Sequence, residues 1–288
     1  MQLVRTVAGA AVCLVVTGAC CCGGSHGIGQ LGSTPPTAAL AHFLNFPADR
    51  VPRPIVLIKA AQTGPDFATV AQLNGFACRL FEVTGALPAD GPSQATASWS
   101  DGTSASYPAM SAQETIQALR NERRADRCVN EKPVNVTGMR PGSDVFATDR
   151  GRARMTAWIV KLDGALGTGE WAYPAIPPSA FWDTDFTPTN ETATVSADGR
   201  SLTYTFTGTQ PDGQWGNSYN GLVAESKTAV ELHVQRIPNP TSAPDSGPAE
   251  DHPRSVTVTL QSALSGRVVI NVSGFVLPVC PEAMGAGC

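Results

Sequence analysis

The amino-acid sequence predicts a mainly β protein, with α and β mixed in its first half and an antiparallel sheet or sandwich in its second. Three observations carry this. From Thr192 onward, apolar residues alternate with polar ones at the period of a strand with one dry face. The chain holds 28 glycines and 23 prolines, enough to punctuate many short strands with turns. One stretch only, Ser111 to Arg127, combines helical apolar spacing with the end signals of an amphipathic helix. With 42% hydrophobic and 15% charged residues, the 288-residue chain can bury a real core, and it divides into two β-rich domains.

The first twenty residues have a separate logic. Met1 to Arg5 carries one positive charge, and Val7 to Val16 is an apolar run. That length suits the core of a signal peptide and is too short for a bilayer, which takes about 20 residues. Thr17-Gly18-Ala19-Cys20 then places small residues directly before a cysteine. This resembles the lipobox of bacterial lipoproteins, in which the cysteine is diacylated on its sulfur and becomes the mature N-terminus. Sixteen Arg to four Lys, with abundant Ala and Gly, is similar in style to secreted lipoproteins of high-GC Gram-positive bacteria, the actinobacterial type. The resemblance covers these residues alone. It implies removal of residues 1–19, lipid attachment at Cys20 and an extracytoplasmic protein anchored to the cell membrane; without acylation the same signal implies secretion. Residues 20–45, rich in Gly, Ser and Pro, read as a flexible tether.

Residues 46–170 read as a first β-rich domain. Pro54 to Ala60 (PIVLIKA) is an apolar run bounded by prolines and a Thr-Gly-Pro turn, hence a buried strand, and Phe76 to Val83 (FACRLFEV) is a second. The helix 111–127 opens with the capping box of Ser111 and Glu114. In Arg152 to Leu162, Thr156, Trp158, Val160 and Leu162 share one strand face. Residues 171–191 form an aromatic and proline-rich connection. Residues 192–288 read as an antiparallel β domain, beginning with a hairpin about Asp198-Gly199 that turns Leu202, Tyr204 and Phe206 inward. Val230, Leu232 and Val234 alternate against Glu231, His233 and Gln235, and Ser255 to Gln261 and Arg267 to Ser273 repeat the pattern. Ile237 to Pro253 is long and nearly devoid of apolar residues, which predicts a mobile loop. Val160 to Leu166 and Val258 to Leu264 share Val, Leu, Ala and Leu in register, compatible with a duplicated domain.

With Cys13 in the signal and Cys20 acylated, six cysteines remain, and outside the cytoplasm these pair. The favoured pairs are Cys78 with Cys128, joining a strand to the end of a helix, and Cys280 with Cys288, pinning the tail. Cys21 and Cys22 stay unassigned. No C-x-x-C spacing supports zinc, and neither a metal nor another cofactor is expected.

Net charge of -4 and the lack of clustered Lys and Arg exclude nucleic acid as a partner. The basic run Arg120 to Arg127 reads as a solvated helix face. Gly216 to Gly221 has one residue too many for a nucleophile elbow, and Gly164 to Gly169 has turn spacing rather than dinucleotide spacing. The candidate ligand residues are Trp171, Tyr173, Trp182, Asp183 and Asp185, extended by Trp215: aromatics stack on sugar rings while carboxylates accept hydroxyl hydrogen bonds. The competing reading is that these rings seal a domain junction. The expected function is an exported, lipid-anchored envelope protein acting as a non-catalytic binding or interaction module for an envelope protein or glycan. The alternative is a glycan-directed enzyme or glycan-binding protein using residues 170–186.

Overall fold

A computed structural model describes residues 38–58, 64–122, 128, 131–182, 190–209, 216–238 and 252–285. The signal, Cys20 and most of the tether lie outside the described residues. In chain order, α1 (Ala38–His42) precedes β1 (Ile55–Val56), α2 (Val70–Ala77) and β2 (Phe81–Val83). There follow β3 (Gln94–Trp99), β4 (Ser104–Pro108), α3 (Ala112–Asn121), β5 (Val134–Thr148), β6 (Gly151–Leu162), β7 (Glu170–Pro174) and β8 (Phe181–Trp182). The second half contains β9 (Thr192–Val195), β10 (Ser201–Gly208), β11 (Asn217–Glu225), β12 (Ala229–Pro238), β13 (His252–Thr259), β14 (Val268–Asn271) and β15 (Val279–Pro281). The protein is mainly β, as the alternation predicts, and residues 33–288 form one compact unit.

The first half is built on a sheet of order β2-β5-β6-β3-β4, with β7 added along β6. Along its long strand β6 the buried side changes: odd-numbered residues are buried as far as Ala157, with Arg152 and Arg154 exposed, and Trp158, Val160 and Leu162 are buried beyond it, with Lys161 exposed. Ala153, Met155 and Ala157 face one core; Val160 and Leu162, on the opposite face, join another with Phe76, Phe81, Ile116 and Trp171. Trp158 is fully buried and donates from Nε1 to the Met110 carbonyl (2.8 Å). The second half has two sheets, β13-β10-β9-β15 and β11-β12-β14. Leu202, Tyr204 and Phe206 point into their shared core. The hairpin between β9 and β10 turns on Gly199, whose φ of 72° suits glycine. The two halves differ in strand order, so the shared Val-Leu-Ala-Leu pattern does not mark equivalent positions: Val160 lies in a central strand and Val258 in an edge strand.

Several boundaries depart from the expectation. The strand expected over Phe76–Val83 is the end of a helix followed by a short strand. Thr69 caps α2 at its start, and at its end Arg79 takes φ 55°, while Arg79 N donates to Phe76 O and Leu80 N to Gly75 O. This is a Schellman stop with an arginine where glycine is usual. The α3 helix has the expected capping box but ends at Asn121, not Arg127; residues 123–127 lie outside the described set. The strand expected over Pro54–Ala60 is ordered as strand only at Ile55–Val56, and residues 59–60 are not described. The ends of the loop expected over 237–253 belong to β12 and β13. The sheets are not purely antiparallel, since β1–β8, β2–β5, β12–β14 and β9–β15 pair in parallel. Glu231, expected on a polar face, is fully buried beneath α1 and pairs with His233 Nε2 (2.5 Å).

One ionic contact joins distant segments. Arg53 Nη2 meets Asp149 Oδ2 (2.5 Å) in the β5–β6 turn, and Arg53 Nε donates to Gly266 O (2.6 Å). Asp149 Oδ1 accepts from Val56 N (3.1 Å), and its carbonyl accepts from Val279 N (3.1 Å). Both side chains are nearly inaccessible. Replacing Arg53 by Met strands a buried carboxylate, so Arg53→Met is expected to lose about 3–5 kcal/mol in urea denaturation; an unchanged midpoint contradicts this role.

The Asp198 carboxyl is held below the usual range, chiefly by the Ser196 hydroxyl and then by the Arg200 backbone N–H. A depressed folded-state pKa gives stability that is present above the unfolded value, near pH ~3.9, and is lost as pH falls through the folded one. The Asp198→Asn variant should therefore show a flatter decline of unfolding midpoint on acidification; profiles that run parallel to the parent refute the assignment.

Candidate functional site

A pocket of about 280 Å³ opens where the end of α3 meets β7 and β8. Leu57, Pro174, Pro178, Phe181 and Trp182 give it apolar walls, and Arg79, Asn121, Glu122 and Tyr173 give it a polar side. The strand β8 is short, but β1 lies parallel to it, pairing Ile55 with Phe181 and Val56 with Trp182. The Trp182 ring also packs edge-on against Phe46 (5.4 Å), which leaves it half-buried between the core and the pocket.

The polar side is organised around Glu122, the residue that ends α3. Tyr173 donates its hydroxyl to Glu122 Oε1 (2.8 Å), and Arg79 Nε lies 3.4 Å from Glu122 Oε2. The Arg79 guanidinium in turn sits over the rings of Phe76 and Trp171, each at 5.2 Å. The left-handed backbone of Arg79 costs on the order of 1–3 kcal/mol, and these contacts together with the helix stop offset it. Beside it, Cys78 caps α2 and is bonded to Cys128, with Cα atoms 5.8 Å apart. The bridge therefore fastens the end of a helix, not a strand, to the segment beyond α3. Asn121 Oδ1 accepts from Gln117 Nε2 (2.9 Å).

The aromatic residues expected to bind ligand separate into two groups. Trp171 is not in an irregular connection: it lies in β7, pairs with Val160 of β6, and stacks on Phe81 at 6.2 Å and 14° within the core. Tyr173 and Trp182 do line the pocket. Asp183, Asp185 and Trp215 lie outside the described residues, as does Cys288. Cys280 is disulfide-bonded, and its partner is not among the described cysteines. The Glu170 carboxylate is held low by a two-pronged bond from Arg140 Nε and Nη2 (3.2 and 2.8 Å).

Three pocket residues escape the sequence reading. Arg79 lies in the misassigned strand, Glu122 within the run taken for a solvated helix face, and Asn121 beside it. Only the capping box, which fixes the phase of α3, hints at which of its residues end near the sheet. Ser218 is exposed on β11 opposite Ile237, away from any strained turn. Among the described residues no group of three or more His, Cys, Asp or Glu could hold a metal ion, and no helix is long and apolar enough to cross a membrane. A larger open groove, about 600 Å³, runs beside Gly199 and Ala283, but small side chains dominate its lining.

Comparison with protein-family models, curated proteins and solved structures yields no match. Among the described residues of the pocket one carboxylate, that of Glu122, is held by a phenol and a guanidinium near the half-buried rings of Phe181 and Trp182.

The division between core and pocket rings is testable. Trp171→Ala should cost about 3–5 kcal/mol of stability, as for a large aromatic removed from a core, and Trp182→Ala clearly less. Urea denaturation of the two variants gives the order; a reversed order contradicts the placement.

Proposed function

We propose that this protein is exported, lipid-anchored at Cys20, and works in the cell envelope as a non-catalytic binding module whose ligand enters the pocket at the end of α3. The observation that carries the binding role is the fixed trio of Arg79, Glu122 and Tyr173 facing the half-buried Trp182 across a cavity of single-ring size. Such preorganised polar groups beside aromatic faces lose little freedom when a ligand arrives. The Cys78–Cys128 bridge is in keeping with an oxidising compartment. Export and anchoring rest on the resemblance of Thr17 to Cys20 to a lipobox, and the membrane is reached through the lipid.

Two ligand sources follow from the same pocket. A glycan is favoured by the ring faces of Tyr173, Phe181 and Trp182 next to forked polar groups, which suit a ring that is apolar on its faces and hydroxylated at its edge. A side chain of an envelope protein is the other. A glycan-directed enzyme would depend on Asp183 and Asp185 in addition to Glu122.

The Cys20→Ala variant tests both parts. It should move the protein from the membrane fraction into the medium, and the released chain should bind glycans on an array, with binding reduced about ten-fold or more by Trp182→Ala. Continued membrane fractionation sinks the anchor. Capture of an envelope protein without any glycan signal replaces the glycan by the protein ligand, and turnover of a bound glycan replaces the binding role by the enzyme.

A further inference from the structure

Arg150 occupies the tip of the β5–β6 hairpin and places its guanidinium carbon 3.6 Å from the centre of the Trp99 ring. Both partners are fixed. Trp99 donates from Nε1 to Thr148 Oγ1 (3.0 Å), and the same hydroxyl oxygen accepts from Arg150 N (3.2 Å) while donating to Gly151 O (2.7 Å). The side chain is thus stacked at a rigid turn rather than extended into solvent.

The edge of the guanidinium formed by Nε and Nη2 is buried and meets no acceptor among the described residues. This is the edge with which Arg140 grips Glu170, and it matches two oxygens of one oxyanion. The neighbouring acids are engaged elsewhere. Asp149 is held by Arg53 and Val56 N, and Asp101 Oδ1 accepts from both Thr103 N (2.8 Å) and Thr103 Oγ1 (2.6 Å). Tyr107 adds a second buried group, since its hydroxyl also meets no partner among the described residues. Arg150 and Arg50 both lie close enough to act on it electrostatically. Burial is the leading influence on both groups, lowering the Arg150 pKa and raising that of Tyr107, so Tyr107 stays a neutral donor. Buried donors of this kind, a charged one above all, are normally satisfied, because leaving them unpaired forfeits their hydration.

We propose that Arg150, Tyr107 and the Trp99 platform form a binding site for a carboxylate group, distinct from the pocket at the end of α3. The two guanidinium N–H groups take the two carboxylate oxygens, and the phenol donates to one of them. A carboxylate fits better than a phosphate because it is planar, like the guanidinium edge, and because its single charge balances one arginine. Asp149 and Asp101 act on Arg150 as further nearby negative charges and disfavour a dianion.

Titration of the full chain with sodium acetate, at ionic strength matched with sodium chloride, tests this. The expected result is a saturable shift of the Arg150 Nε–H resonance accompanied by a change in tryptophan fluorescence. Tyr107→Phe, which keeps the ring in the core, should weaken acetate binding about three- to ten-fold, and Arg150→Lys, which keeps the charge but not the fork, should abolish it. Near-ultraviolet circular dichroism verifies that each variant is folded. The proposal is overturned by a non-saturable response, which would mean that water alone satisfies these groups. It is overturned equally by acetate binding that survives both substitutions, or by inorganic phosphate binding more tightly than acetate.

Discussion

The Arg53–Asp149 pair is the contact on which the arrangement of the two halves depends. The guanidinium touches the β5–β6 turn and the carbonyl of Gly266, while Asp149 reaches Val56 and Val279 through its carboxylate and backbone. Four segments distant in sequence meet at one turn. A buried ion pair adds little net stability over apolar contacts of the same shape, but it is unforgiving of misplacement, because either charge left alone is heavily penalised. Its effect here is to set position. With Asp149 fixed, its neighbour Arg150 is carried onto Trp99, and β1 is held where it can align β8 and so orient Phe181 and Trp182.

The pocket at the end of α3 depends on a second local constraint of a different kind. A glycine at position 79 would end α2 without strain, yet the chain uses an arginine in the left-handed region there. That choice gives the helix stop a long cationic side chain, which covers Phe76 and Trp171 and reaches Glu122 on another helix. The adjacent disulfide at Cys78 ties the same corner to Cys128. Strain, stacking, ion pairing and a covalent bond therefore converge within two residues, and they do so beside the cavity rather than in the middle of a core.

What the sequence makes legible is local. Asp198-Gly199 marks its hairpin because the turn geometry demands those residues, and Ser111 with Glu114 marks the start of α3 because the capping box is closed within four residues. Alternation places Leu202, Tyr204 and Phe206 inward because one face of β10 is dry. The failures are of range. Phe76–Val83 has the composition of either a strand or a helix end, and the conformation of Arg79 decides between them only in the folded chain. Trp171 looks like a ligand-binding ring because the proline-rich surroundings hide that Glu170–Pro174 is a strand, which pairs with β6 and sets Trp171 beside Val160. The pocket combines Arg79 with Glu122 and Trp182, residues whose proximity follows from the packing of α2, α3 and β8 and leaves no short-range pattern.

The excess of arginine over lysine, at first a matter of compositional style, acquires a structural explanation from these contacts. A turn-rich protein presents many backbone carbonyls that no ladder satisfies, and a guanidinium can bridge several of them at once where an ammonium cannot hold a planar fork. Arg267 joins Glu225 to the carbonyls of Ser262, Ala263 and Leu264; Arg254 joins the carbonyls of Thr209 and Asn217 while covering Tyr219; Arg53 joins Asp149 to the carbonyl of Gly266, and Arg140 forks onto the Glu170 carboxylate. In each of these the fork is used to brace one segment against another. Arg150 belongs to the same group in its placement at a turn and its ring platform, and differs in that its Nε and Nη2 meet no carbonyl or carboxylate among the described residues. The same side-chain geometry that braces the fold elsewhere is there suited to an acceptor from outside it.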